Sequence, residues 1–302
     1  FRNSLLGRLR QAYKCFFVYL YMGFIERLGR GWHIVLQSFR VIQADKELLV
    51  YPILQGLIIL ALGVFVFASA FLGSSPAIND VSPAPSGFLL FFFLFIILTY
   101  FISVFFQATI VASASIRFGG KNPALKDGFV QPIKRIFALF TWALVSFVVA
   151  MVLNALRSKR SSGIGSIGRN AVAGTAELTW SLITFYTIPV LLFEKLNVFK
   201  AIGRSSSLFK KTWGEHVTAR FAVGALVGII TIPFLLIFFW ALSSQNITFM
   251  IISAILLFVA ILVVCVLRSV TDGILRAALY RYAISGIVPS VFAKVWLKSL
   301  FG

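Results

Sequence analysis

Five stretches of this chain, residues 48–72, 88–116, 136–156, 221–244 and 247–267, each run more than twenty residues without a charged side chain. A sixth, 171–193, is interrupted only by Glu177. The hydrocarbon core of a bilayer is about 30 Å thick, and a helix rising about 1.5 Å per residue needs roughly 20 apolar residues to cross it. Lipid offers the backbone no hydrogen-bond partners, so a lone apolar run crosses as a helix whose N–H and C=O groups satisfy one another. The runs therefore predict an all-α polytopic bundle of six transmembrane helices. The apolar fraction of 60% and the mean hydropathy of +0.96 agree, since soluble domains sit near 45–50% apolar. The connections are too short to hold a separate soluble core. We expect one membrane domain at 32–285, an N-terminal amphipathic, interfacial segment at 1–31 and a C-terminal interfacial tail at 286–302.

The cations are sorted by loop. Of 28 Lys and Arg, eight fall in 1–47, five in 117–135, six in 195–220 and five in 268–302. The loops that alternate with these carry none in 73–87, none in 243–248, and Arg157, Lys159, Arg160 and Arg169 in 157–170. An excess of Lys and Arg marks the cytoplasmic side, so both termini are expected inside, with 157–170 as a basic loop on the opposite side. The formal charge of +19 would suit a nucleic acid, but the cations stand at the ends of apolar runs, where they orient helices and attract anionic headgroups. Nucleic acid is not an expected partner. The loop cations, with Lys210 and Lys211, are candidate contacts to anionic lipid or to a partner subunit.

Three shorter features share the inner side. Residues 15–25 form an apolar run too short to cross, which suits an interfacial or partner-buried helix. From Trp32 to Leu49 the apolar residues Ile34, Val35, Phe39, Ile42 and Leu49 fall near one helical face. Amphipathic segments at 32–47, 123–135 and 198–216 precede the three span pairs. Ile110–Phe118 and Ile274–Tyr282 also match in residue type at seven of nine positions, which suggests three units of surface helix plus hairpin, with chance resemblance an equal alternative.

Little catalytic material is present. No P-loop, His-Glu-x-x-His or Gly-x-Ser-x-Gly motif occurs; the stretch Gly163-Ile164-Gly165-Ser166-Ile167-Gly168 fails the last because Ile164 stands where its first glycine belongs. There are two histidines, His33 and His216, and nine acidic residues. No catalytic residue, cofactor or metal site is expected, and Cys15 and Cys265 suggest no disulfide framework. Glu177, about six residues inside the outer end of its run, is the one carboxylate at depth. Intramembrane ionisable residues are functional hypotheses by default; the plainer reading pairs Glu177 with Arg157 or Arg169. Gln107, Thr109, Ser113 and Ser115, with Thr179, Ser181, Thr184 and Thr187, could line a polar path, in which Glu177, Gln107 and Thr184 are the principal candidates. Such hydroxyls more often bond their own helix. Pro189 and Pro233 stand inside spans and are expected to kink them. Asp272 stands four residues from Arg268 and from Arg276, the spacing of a structural ion pair. Gly224 and Gly228 allow close helix packing, and Trp180 and Trp240 are expected near the outer boundary, with Trp32, Trp213 and Trp296 near the inner one.

Three segments carry a resemblance: Asp45-Lys46-Glu47-Leu48-Leu49-Val50-Tyr51-Pro52; Trp180-Ser181-Leu182 through Ile188-Pro189-Val190-Leu191-Leu192-Phe193-Glu194; and Ser206-Ser207-Leu208-Phe209-Lys210-Lys211-Thr212-Trp213-Gly214-Glu215. Together they resemble an uncharacterised prokaryotic family of six-span integral membrane proteins, over about 30–285. That family is more distantly similar to the membrane domain attached to some glycerophosphodiester phosphodiesterases. The resemblance implies the six-span fold and a bacterial inner membrane, with an organellar inner membrane as the alternative. It transfers no active site, because the phosphodiesterase barrel has no counterpart here.

The sequence thus leads us to expect a non-enzymatic structural or accessory subunit of a membrane assembly, or a lipid-organising protein. Its partners would be membrane lipids, anionic headgroups among them, and other membrane subunits or further copies of itself. A channel or transporter with a polar path near Glu177 and Gln107 is the alternative.

Overall fold

The computed structural model describes Gln43 and residues 45–73, 86–158, 164–211 and 213–286. Among them all regular structure is helical. A 3-10 turn at Lys46–Leu49 leads into α1 (Val50–Gly73), α2 (Ser86–Phe118), α3 (Leu125–Lys134), α4 (Ile136–Ser158) and α5 (Ile164–Ile183). Then follow α6 (Thr187–Phe193), α7 (Val198–Lys211), α8 (Trp213–Ser243) and α9 (Ile247–Ser285). Six segments are long and apolar enough to cross a bilayer: Lys46–Ser69, Leu89–Phe118, Ile136–Leu156, Val172–Phe193, Val223–Ser243 and Ile247–Ser285. They coincide with the six expected runs, so the all-α, six-span fold stands. The segment 1–31, the run 15–25, residues 32–42 and 44 of the 32–49 stretch, the loop beyond Gly73, Lys159, Arg160 and the tail after Gly286 lie outside the described residues.

Two compact units divide the chain: a larger one of Ile42–Lys211 and Asp272–Pro289, and a smaller one of Phe1–Val41, Thr212–Thr271 and Ser290–Gly302. In the larger unit α2 is the central helix, packing against α1, α3, α4 and α6, while α4 also meets α5, α6 and α7. The two halves of α2 differ as their sequences dictate. Leu89 to Phe93 are all exposed, as large apolar side chains facing lipid should be, whereas every residue from Ala108 to Ala114 is buried. That second stretch is rich in Ala, Ser and Thr, and small residues let neighbouring backbones approach closely where a helix is surrounded by others. One approach is so close that only glycine fits: a Cβ on Gly273 of α9 would collide with the Ile110 side chain. Ile110 opens the first of the two similar nine-residue segments, and Gly273 immediately precedes the second.

Aromatic rings fill the space between α2 and its neighbours. Phe147 of α4 receives Phe93 and Tyr100 edge-on at centroid separations of 5.7 and 5.5 Å, and Phe101 meets Phe140 at 5.4 Å. Trp142 of α4 stacks on Trp180 of α5 at 6.0 Å. This stacking packs the half-buried Trp180 against the neighbouring helix.

The fourth span departs from a single helix. It is broken at Thr184–Tyr186 into α5 and the short α6. Pro189 is the third residue of α6; lacking an N–H, and with a ring that clashes with the carbonyl four residues earlier, it cannot continue α5 but is tolerated in a first turn. Pro233, by contrast, lies within α8, which continues through it.

In the smaller unit α8 is joined to α9 by a tight turn. The Asn246 side-chain carbonyl accepts the N–H groups of Thr248 and Phe249 at 3.1 and 3.2 Å, an N-cap that satisfies two of the four otherwise unpartnered donors at the start of α9. Trp240 meets Phe249 edge-on at 5.3 Å across this turn. Most large apolar residues of α8 are exposed, as on a helix bathed in lipid.

Candidate functional site

Polar contacts in the larger unit concentrate at two joints between helices. The first is built on Tyr51, fully buried at the start of α1. Its hydroxyl lies 3.0 Å from the Leu125 carbonyl and 2.8 Å from Ser113 Oγ. A carbonyl can only accept, so the phenol donates to Leu125 and Ser113 donates to the phenol. One side chain thereby ties α1, α2 and α3 together. Gly128 of α3 makes this possible, because a Cβ there would overlap both Ser113 Oγ and the Tyr51 hydroxyl. The Tyr51 ring meets Phe129 edge-on at 5.4 Å, and Phe129 in turn contacts Phe105 and Phe106. Arg117 closes the joint from α2, pairing through Nε with Asp45 at 3.1 Å and bonding Asn122. The Asp127 carboxylate accepts the Ala124 N–H at 3.0 Å, which fastens the first turn of α3.

The second joint holds the broken fourth span. At the break, where the helical ladder is interrupted, Ser205 of α7 substitutes for it: Ser205 Oγ accepts the Tyr186 N–H at 3.0 Å and donates to the Ile183 carbonyl at 2.5 Å. Ser205 is fully buried. Just past α6, both carboxylate oxygens of Glu194 accept from Arg204 Nε, at 3.2 and 3.0 Å, and Tyr280 of α9 donates to the same carboxylate at 3.3 Å. Tyr280 also stacks on Phe193 at 5.8 Å. The Arg276 guanidinium lies over the Phe185 ring, 5.2 Å from its centroid, a cation–π contact. No ion pair joins Asp272 to Arg276 among the described residues. Lys195 bridges α6 and α7 with a positive φ of 57°.

The candidate polar-path residues do not share one environment. Glu177 is exposed on α5, and Thr184 is buried two turns further on, about 10 Å along the axis. Gln107 lies on α2 with Oε1 beside Gly273. The hydroxyls of Thr109, Thr179 and Thr184 donate to carbonyls one turn back on their own helices, at 3.0, 2.8 and 2.7 Å. Of the candidate lipid or partner contacts, Arg157 and Lys211 stand at the ends of α4 and α7, Arg169 lies in the first turns of α5, and Lys210 is exposed on α7. Among the described residues no three of His, Cys, Asp and Glu are grouped to hold a metal ion. Reasoning from sequence singled out neither Ser205 nor the pairing of Tyr51 with Ser113, although Tyr51 stands in one of the three resemblance segments.

Six apolar helices, short amphipathic helices between them and polar groups gathered at helix joints define a multi-pass integral membrane protein of the all-α class. The chain belongs to DUF6159, a family of unknown function, which it matches over residues 86–289. No curated protein and no solved structure matches it.

Proposed function

We propose that this protein is a non-enzymatic, structural or accessory membrane subunit that associates with other membrane proteins or organises the lipid around it. The observation that carries this reading is where the polar groups go. The hydroxyls of Thr109, Thr179 and Thr184 are taken up by backbone carbonyls, and Tyr51, Ser113, Ser205 and Glu194 fasten helices to one another. A transport route from Glu177 through Gln107 and Thr184 would need such groups to face a common water-filled space. Large apolar side chains meanwhile cover the outward faces of α1, α8 and α9, a surface that lipid or a second membrane protein can cover.

The finer assignments belong to the same proposal. Both termini lie on the cytoplasmic side of a bacterial inner membrane, by the distribution of Lys and Arg, and the distant likeness to the membrane domain attached to some glycerophosphodiester phosphodiesterases is one of scaffold. The test is extraction in a mild detergent followed by mass spectrometry of whatever co-purifies. Partner proteins in fixed ratio, or a lipid complement enriched over the bulk membrane, are the expected result. A chain that runs alone with bulk-composition lipid would overturn the reading.

A further inference from the structure

The larger unit carries a cleft that neither joint uses. It is open, about 530 Å³ in volume, and is walled by Lys134, Arg135, Phe137 and Thr141 on one side and by Asn197 and Phe199 on the other. Its depth in the bilayer follows from connectivity. Arg135 immediately precedes α4, which enters the third span at Ile136, and Asn197 follows the fourth span, which ends at Phe193. The two spans form a hairpin, so both walls stand at the same membrane boundary, whichever side of the bilayer that is.

We propose that this cleft binds the phosphate-bearing headgroup of an anionic lipid, an inference that rests on the lipid-organising form of the reading above and names its site. Lys134 and Arg135 bring two adjacent cations to the cleft, and neither forms an ion pair with any described residue. Glu194, the nearest carboxylate in sequence to the second wall, is held by Arg204. A positive cleft without a counter-charge at headgroup depth is complementary to a lipid phosphate. The aromatic residues distinguish a lipid from a soluble anion. Phe137 and Phe199 are 85% and 76% exposed, far more than a ring in contact with water should be, and they flank the cations as apolar platforms for the glycerol and first methylenes of a lipid. Asn197 adds a polar side chain to the second wall, while the Thr141 hydroxyl donates to the Phe137 carbonyl one turn back at 2.8 Å.

The test uses the full chain in nanodiscs of mixed phosphatidylcholine and phosphatidylglycerol, with retained lipid counted by native mass spectrometry after detergent exchange. The wild type is expected to retain phosphatidylglycerol selectively. K134Q/R135Q should lose that selectivity by roughly 25-fold, at about fivefold per cation, and F199S should weaken it with both charges in place. K126Q, which removes an exposed cation of α3 outside the cleft lining, should leave it unchanged. Inorganic phosphate at millimolar concentration should not displace the lipid; displacement would overturn the lipid assignment in favour of a soluble phosphate. Equal retention by wild type and K134Q/R135Q would overturn the cleft while leaving the lipid-organising reading intact. A wild type that retains no anionic lipid would overturn both.

Discussion

Tyr51 combines three contacts: it donates to Leu125, accepts from Ser113 and packs its ring on Phe129. Removing the hydroxyl leaves a buried carbonyl and a buried serine without their partner, a loss of about 1–3 kcal/mol. The Glu194–Arg204 pair has better ion-pair geometry but less burial, with the two side chains 22% and 42% exposed. Solvent screening limits such a pair to about 0.2–1 kcal/mol. Thermal unfolding in detergent should therefore show Tyr51→Phe to be more damaging than Arg204→Gln. The reverse order would mean that the second joint, not the first, governs stability. None of this ranking was legible in the sequence, because Tyr51 and Ser113 are 62 residues apart and nothing local records which hydroxyl a buried tyrosine will meet. The sequence did mark Glu177 as a carboxylate at depth, and the preference of membrane hydroxyls for their own helix anticipated that Thr175 and Thr179 beside it would donate to carbonyls one turn back.

At the scale of elements, the runs of uncharged residues located all six spans, since lipid leaves the backbone no alternative to a helix. They could not distinguish the two prolines. Pro189 and Pro233 stand in equally apolar surroundings, yet the first marks a break and the second lies within a continuous helix. The difference is Ser205, which supplies the break with both a donor and an acceptor from another element. Ser205→Ala would leave the Tyr186 N–H and the Ile183 carbonyl unsatisfied in a buried position, at about 1–3 kcal/mol. Pro189→Ala sits in the first turn of α6, where an added N–H has little to lose or gain, and should cost less. Unfolding midpoints of the two variants would decide the matter, and a Pro189→Ala change more costly than Ser205→Ala would show that the proline itself maintains the break.

Among the described residues both units carry large exposed apolar side chains, and the larger unit gathers polar groups at helix joints, an inversion of the soluble pattern that the composition already announced. Orientation is the testable part of that picture. In the proposed orientation the four cations of 157–170 fall on the side where they should be fewest, and a cysteine placed at Ser162 should then react with an impermeant maleimide from the outside of intact cells. Labelling only after the membrane is opened would place that loop inside and require the third and fourth spans to be reassigned.

The larger unit is discontinuous along the chain: Ile42–Lys211 must wait for Asp272–Pro289, with Thr212–Thr271, about 60 residues, made in between. At translation rates of roughly 5–20 residues per second, the surface around Ile110 that Gly273 will cover stays open for roughly 3–12 s after its own helices are complete. During biogenesis this half-built unit exposes the closely packed, small-residue face of α2 to the bilayer and to the insertion machinery. A membrane insertase or a neighbouring nascent chain would meet that face before α9 does.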